Sequence, residues 1–258
     1  MSQPDASPDA YYPKVAVVTG AGTGIGRAVA RELLAGGWKV ALAGRRAEPL
    51  DEAAASNRDA ITVPTDITDE ASVAALFGAV ADAWGVLGLL FNNAGGFGEA
   101  ARIDGIDATD WRRTVEVNLT GTMLCSKYAF AAMAAQDPSG GRIINNGSVS
   151  AHAPRPLSAA YTATKHAVTG LTKSIDLDGR ALGIQAGQID IGNAATDMMA
   201  GIGSGAGALQ PDGGRRLEPT FDVADAARTV AMMASLPRAA TIHELTITAT
   251  GMPFRARG

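Results

Sequence analysis

The sequence predicts a single doubly wound α/β domain built on a parallel sheet. Three observations carry that reading. Short β-branched runs alternate with helical patterns along nearly the whole chain, and no change of composition divides its 258 residues. The first run, Lys14 to Thr19, ends in a glycine-rich turn that opens a helix. The run Val86 to Phe91 is almost continuously apolar, as expected of a strand covered on both faces. Hydrophobic residues make up 47% and aromatic residues only 5%, so the interior is expected to consist of Ala, Val, Leu and Ile.

In chain order, Met1 to Ala10 has neither a basic start nor an apolar core, so it reads as neither signal peptide nor anchor, and residues 1–13 read as a disordered tail. Strand Lys14 to Thr19 leads into Gly20-Ala-Gly-Thr-Gly-Ile-Gly26 and a helix from Arg27 to Ala35. A second strand, Trp38 to Ala43, ends at Gly44-Arg45-Arg46. A third, Ala60 to Pro64, precedes a helix that runs to Trp84 and is capped by Thr68 or Asp69. Val86 to Phe91 ends in Asn92-Asn93-Ala94-Gly95, and a long helix is expected from Thr109 to Ala135 with Asn118 turned inward. Strand Arg142 to Gly147, helix Ala159 to Arg180 and strand Gly183 to Ile191 follow. Residues 192–220, with Gly201, Gly203, Gly205 and Gly207 alternating with other residues, break the pattern and are read as a mobile lid over a substrate. Helix Val223 to Ser235 and an alternating strand, Thr241 to Ile247, complete the domain 14–258.

Composition excludes several classes. A net charge of −4 argues against a nucleic-acid surface. Cys125 is the only cysteine, so no intrachain disulfide forms, and it is expected to be a small buried side chain. His152, His166 and His243 have no H-x-x-x-H spacing and no carboxylate cluster beside them, so no metal site is expected.

The chemistry concentrates in three places. Strand, glycine turn and helix N-terminus together make a phosphate cradle, because glycine lets the backbone approach closely and the free N–H groups of the first turn face an anion. At the end of the second strand, where a dinucleotide's adenosine ribose lies, Arg45 and Arg46 stand without an acid, which favours a 2′-phosphate. Tyr161 and Lys165 are four apart and share a helix face, with Ser148 upstream at the end of a strand. A phenol titrates near pH 10, and an adjacent ammonium favours its ionised form, so the pair reads as a proton-transfer device.

Taken together, Thr19-Gly20-x-x-x-Gly24-x-Gly26, Asp66, Asn92-Asn93-Ala94-Gly95, Asn118, Ser148 and Tyr161-x-x-x-Lys165 resemble the motif set of the short-chain dehydrogenase/reductase family, in the same order and over residues 14 to about 250. The resemblance implies a Rossmann-like sheet of about seven strands and NAD(P)-dependent alcohol oxidation or carbonyl reduction. In that scheme Tyr161 moves the substrate proton and Ser148 hydrogen-bonds the carbonyl oxygen. Lys165 holds the nicotinamide ribose and lowers the phenol pKa, and Asn118 holds a relay water. Gly20, Thr23, Gly24, Ile25, Gly26, Arg45, Arg46, Asp66, Ile67, Asn93, Ala94, Gly95, Gly192 and Thr196 would join Tyr161 and Lys165 in binding the cofactor, NADP with NAD as the alternative. The resemblance further implies a small-molecule carbonyl or alcohol substrate, a cytoplasmic homotetramer, and neither nucleic-acid nor membrane partners. The chain departs from the family at Ile191-Gly192, where Pro-Gly is usual, and at Asp190 just before it. A 3-oxoacyl thioester reductase shares all these residues. A non-catalytic dinucleotide-binding scaffold is the contrasting class. His152, Pro154, Arg155, Pro156, Met198 and Met199 are candidate substrate-pocket residues.

Overall fold

A computed structural model describes residues 11–196, 199, 203 and 205–254. Seven parallel strands form the central sheet: β1 (Val15–Thr19), β2 (Lys39–Gly44), β3 (Ala60–Pro64), β4 (Leu89–Asn92), β5 (Gly141–Asn146), β6 (Ile184–Gly192) and β11 (Glu244–Thr248). Their spatial order is β11-β6-β5-β4-β1-β2-β3. The expected doubly wound parallel sheet is therefore present, with the last strand at one edge. The chain reverses its direction of travel across the sheet between β1 and β4, which opens a crevice at the carboxyl ends of those strands.

Strand alternation explains the two cores. Ala16 and Val18 point to one face of the sheet, where they meet Val29 and Leu33 of α1 (Gly24–Ala35), Leu50 of α2 (Ala47–Ala54) and Val230 of α7 (Val223–Ala234). Val15 and Val17 point to the other, against Leu76 of α3 (Glu70–Trp84), Cys125 and Met133 of α5 (Gly121–Ala135) and Ile175 of α6 (Ala159–Gly179). Cys125 is fully buried, as expected, and burial pushes its thiol up to about 12, so it is inert packing.

Local chemistry sets the boundaries. Asp69, rather than Thr68, caps α3 by accepting from the backbone N–H groups of Ala71 and Ser72. Gly85, in the left-handed region at φ 70°, ends that helix. The helix α2 was not expected: it is short, and Arg46 at its N-cap makes no side-chain capping bond, so it carries no start signal. The long helix expected over 109–135 begins with α4 (Ala108–Val115), capped by Asp107, and continues into α5 through one π-helical turn, Glu116–Thr120, that contains Asn118. Such a turn re-aims one inward side chain without ending the helix.

The described residues among 193–220 form more regular structure than the glycine content of the segment suggests. The two-residue strand β7 (Ala194–Ala195) pairs in parallel with β10 (Phe221–Asp222), and β8 (Ala208–Leu209) pairs with β9 (Arg215–Arg216) in a small antiparallel ribbon. Gly207 adopts φ +81°, where a Cβ would overlap the backbone of Arg216. The expectations for Met198, Gly201, residues 1–10 of the tail and the last four residues fall outside the described residues, but residues 11–13, expected to belong to a disordered tail, are placed: Tyr12 is buried and its hydroxyl donates to the Gly183 carbonyl at 2.6 Å. Among those described, no helix is long and apolar enough to cross a membrane.

Ile144 lies fully buried at the centre of the sheet. Ile144→Ala removes buried methyl groups and leaves a cavity, which is expected to lower unfolding stability by about 2–5 kcal/mol, read from denaturant unfolding.

Candidate active site

A cavity of about 1090 Å³ lies along the carboxyl ends of the strands. The glycine turn after β1 lines one end. Gly20 and Gly24 sit in the left-handed region at φ +63° and +51°, and a Cβ on Gly26 would overlap the carbonyl of Gly20 and the amide of Asn93. Only glycine lets α1 start this close to the sheet. Thr23 at the N-cap of α1 makes no capping bond through its side chain, and the first turn holds no acid. The first-turn N–H groups and the positive end of the helix are thus available to an external anion.

Arg45 and Arg46 line the cavity at the end of β2, and neither forms an ion pair with a described residue. Asp66 lies nearby. Hydrogen bonds from the Thr68 backbone and hydroxyl hold its carboxyl below the usual range, with a smaller contribution from the charge of Arg45. Thr23, Gly24, Ile25, Asp66, Ile67, Asn93, Ala94, Gly95, Gly192 and Thr196, all expected to touch a cofactor, line the same cavity. Gly26 lies behind the turn as a packing residue.

Amide chemistry joins this cradle to the other end of the site. Thr19 Oγ1 accepts from the backbone N–H groups of Asn93 and Ala94 at 2.9 and 3.0 Å. Asn93 Nδ2 donates to the carbonyls of Thr19 and Gly20, while its Oδ1 accepts from Asn146 Nδ2 at 3.0 Å. Lys165 Nζ donates to the Asn146 carbonyl at 2.7 Å. Asn146 retains a buried amide oxygen without a donor among the described residues, an acceptor that suits a hydroxyl or amide of a bound cofactor. Sequence reasoning missed Asn146, although its place at the strand end beside Ser148 was the available signal.

Ser148 hydrogen-bonds Tyr161, and Lys165 lies on the same face of α6 with its ammonium 5.6 Å from the Tyr161 ring centroid. Burial pushes the Tyr161 phenol up to about 12; the Ser148 hydrogen bond opposes this and the Asp190 charge adds to it. Burial likewise pushes Lys165 down to about 8, against the opposing pull of Asp190. The expected lowering of the phenol by Lys165 does not appear: burial raises the phenol, and the ammonium is directed to the Asn146 carbonyl. Asn118 is buried on the π-helical turn. Its Oδ1 accepts from Gly96 N, and its Nδ2 donates to Gly96 O and to Thr164 Oγ1, so the side chain braces the loop after β4.

Around Tyr161 the cavity wall is formed by Phe97, Pro156, Leu157 and Met199. Phe97 meets the Tyr161 ring edge to face at 4.8 Å. Leu157 and Asn193, both on this wall, hold φ of +62° and +55°, backbone strain of the kind that gathers at functional sites. Arg155 lines the cavity, but its guanidinium is engaged by Glu218 through two bonds of 2.9 and 2.6 Å and by Asn193 Oδ1 at 3.0 Å. His152 is not part of the lining and turns to Asp190. No cluster of metal-ligating side chains occurs among the described residues.

Sequence and structure comparisons agree with this geometry. The family model for short chain dehydrogenases matches residues 14–207. Cis-4-hydroxycyclohexanecarboxylate dehydrogenase of Sinomonas cyclohexanicum is 39% identical over 198 residues, covering 75% of this chain and 78% of that protein. Among solved structures, a levodione reductase superposes with a TM-score of 0.81 at 26% identity, over 92% of this chain and 96% of the other. The 3-ketoacyl-(acyl-carrier-protein) reductase from Brucella melitensis, complexed with NADH, gives 0.79 at 26% identity over 90% and 96%. The chain belongs to the short-chain dehydrogenase family and is a nicotinamide-dependent oxidoreductase.

A phenol that lines the cavity and is pushed up to about 12 by burial can act as a proton donor there. Tyr161→Phe is expected to lower kcat at least about 100-fold while the cofactor still binds, measured by steady-state kinetics and cofactor fluorescence titration. Near-normal turnover in that variant would remove Tyr161 from the chemistry.

Proposed function

We propose that this protein transfers hydride between NADP(H) and a carbonyl or secondary alcohol, working mainly as a carbonyl reductase. The observation that carries the reading is the Ser148–Tyr161–Lys165 group, buried at one end of a cavity whose other end is an anion cradle flanked by Arg45 and Arg46, neither in an ion pair among the described residues. The bound nicotinamide supplies the hydride. Ser148 orients the carbonyl oxygen by hydrogen bonding, and Tyr161 gives that oxygen its proton as negative charge develops on it. Lys165, fixed by Asn146, holds the cofactor's ribose side and keeps a cation near the reacting oxygen. Reduction needs the protonated phenol, and a phenol pushed up to about 12 keeps its proton throughout the neutral range; oxidation needs the phenolate, which is scarce there. The chain's own electrostatics thus support the reducing direction. A scaffold that only held a dinucleotide has no need of this buried proton donor.

For substrate, the apolar wall of Phe97, Pro156 and Leu157 beside Tyr161 suits an alicyclic ring. The 39% likeness to a hydroxycyclohexanecarboxylate dehydrogenase supports ring ketones and ring secondary alcohols as the class. The likeness to a 3-ketoacyl-(acyl-carrier-protein) reductase makes acetoacetyl thioesters the comparison arm of the same assay. We read the segment after β6, whose Asn193, Ala194, Thr196 and Met199 line the cavity and whose Glu218 pairs with Arg155, as the lid that closes the site.

Cofactor choice follows from charge. Gly44 leaves no carboxylate to repel a 2′-phosphate, and a guanidinium at Arg45 or Arg46 holds one through charge-assisted bonds of about 1.5 to 3 kcal/mol. One such bond made only to NADP(H) gives roughly a 10- to 150-fold preference. Titration of both cofactors is expected to show that preference. It should reverse or vanish in Gly44→Asp combined with Arg45→Ala, whereas tighter binding of NAD(H) by the unmodified protein would mean that the arginines point to solvent.

A further inference from the structure

We propose that Asp190 is a positioning residue for this reaction, holding the Ser148 turn from behind and placing a negative charge behind the Tyr161–Lys165 pair. The inference rests on the proposed reading of Tyr161 as proton donor and goes beyond it. A carboxylate inside a sheet is costly unless donors surround it. Asp190 lies on β6 with its side chain only 1% exposed, and three donors meet it. Its Oδ1 accepts from Ser148 N at 2.8 Å and from Gln188 Nε2 at 2.7 Å, and its Oδ2 meets His152 Nε2 at 2.7 Å.

The surroundings are shaped for that carboxylate. A Cβ on Gly147 would overlap Asp190 Oδ1, so the glycine directly before Ser148 is what admits the acid. The Ser148 side chain in turn accepts from Ser150 N, which starts the 3₁₀ turn Val149–Ala151. The Ser148 N–H bond therefore fixes the residue whose hydroxyl meets Tyr161. The charged or titratable groups facing Asp190 are His152 from this turn and Tyr161 and Lys165 from α6. On its own strand Gln188 is neutral, and on β11 the register partner is Thr246. His152 is half exposed, with the Phe254 ring at 6.1 Å, and closes the outer side of the pocket.

The direction of the electrostatic effect follows. A negative charge behind the phenol disfavours phenolate and so raises Tyr161, and it also raises Lys165. Asp190→Asn keeps an oxygen to accept from Ser148 N but removes the charge. The apparent pKa that governs alcohol oxidation, which needs phenolate, should move to lower pH by about half a unit or more. Reduction, which needs the phenol, should begin to fail at correspondingly lower pH. At each optimum kcat should stay within about 3-fold of the unmodified enzyme. Asp190→Ala, small enough to fit the same space, should show the same direction of shift and lose about 10-fold or more in kcat, because Ser148 N is left unpaired.

The experiment is the pH dependence of kcat and KM in both directions for the unmodified enzyme, Tyr161→Phe, Asp190→Asn and Asp190→Ala, each checked for folding by circular dichroism and for NADPH binding. If the unmodified enzyme and Tyr161→Phe turn over alike, the reading of Tyr161 fails. If Tyr161→Phe is inactive but Asp190→Asn keeps the original pH profile, only the present inference is overturned. Should neither Asp190 variant fold, Asp190 is a residue of the fold, and the positioning role is likewise overturned.

Discussion

The bond from Lys165 Nζ to the Asn146 carbonyl is the contact on which the site's geometry depends. Through it the helix bearing Tyr161 is tied to the end of β5. The Asn146 side chain then reaches Asn93, just past the end of β4, and Asn93 reaches the carbonyls of Thr19 and Gly20 at the end of β1. A proton donor and a phosphate cradle from distant parts of the chain are thereby joined in one frame. Each neutral bond contributes only about 1 kcal/mol net, so the importance of this chain lies in alignment. Reacting groups displaced by 1 Å can lose about two orders of magnitude in rate. The same frame explains Gly26, since any side chain there would overlap both Gly20 and Asn93.

Burial governs the electrostatics of the frame. The phenol is pushed up and the lysine down, each toward its neutral form, because both are buried at the strand ends, where described residues of the segment after β6 also line the cavity. That segment is held by Glu218, a carboxylate whose own burial would raise it but whose bonds from Arg155 and Asn193 take it down to about 2. A carboxyl lowered in this way stabilises the closed segment above its ordinary range near pH 4.5, and the contribution is lost only as pH falls toward about 2. The Arg155–Glu218 pair is therefore intact at any pH at which an enzyme of this kind works.

Much of this was legible in the sequence, for definite reasons. Parallel strands buried on both faces show as apolar runs, so the seven strands could be placed within a few residues. Glycines in a strand-turn-helix context announce an anion site because few other residues tolerate the backbone, and Tyr161 with Lys165 is legible because helical spacing puts them on one face. Features that depend on long-range packing were not legible. The π-helical turn at Glu116–Thr120 replaces an ordinary helical turn without any breaker residue. The helix Ala47–Ala54 lacks a capping side chain. The segment after β6 looks floppy by its glycines, yet a buried ion pair whose partners are 63 residues apart holds it. The direction of the Tyr161 shift was misread from sequence because a neighbouring charge can be seen in a residue string, whereas desolvation cannot.

The central claim is that the protein moves a hydride onto a carbonyl carbon while its own buried phenol provides the proton. Deuterium tracing tests this most directly: NADPH carrying deuterium at the transferable position of its nicotinamide is incubated, in ordinary water, with a panel of ring ketones that includes 4-oxocyclohexanecarboxylate. The expected product is an alcohol with one deuterium on the carbinol carbon. Cofactor bound at the cavity with no deuterium in any alcohol of the panel would contradict it.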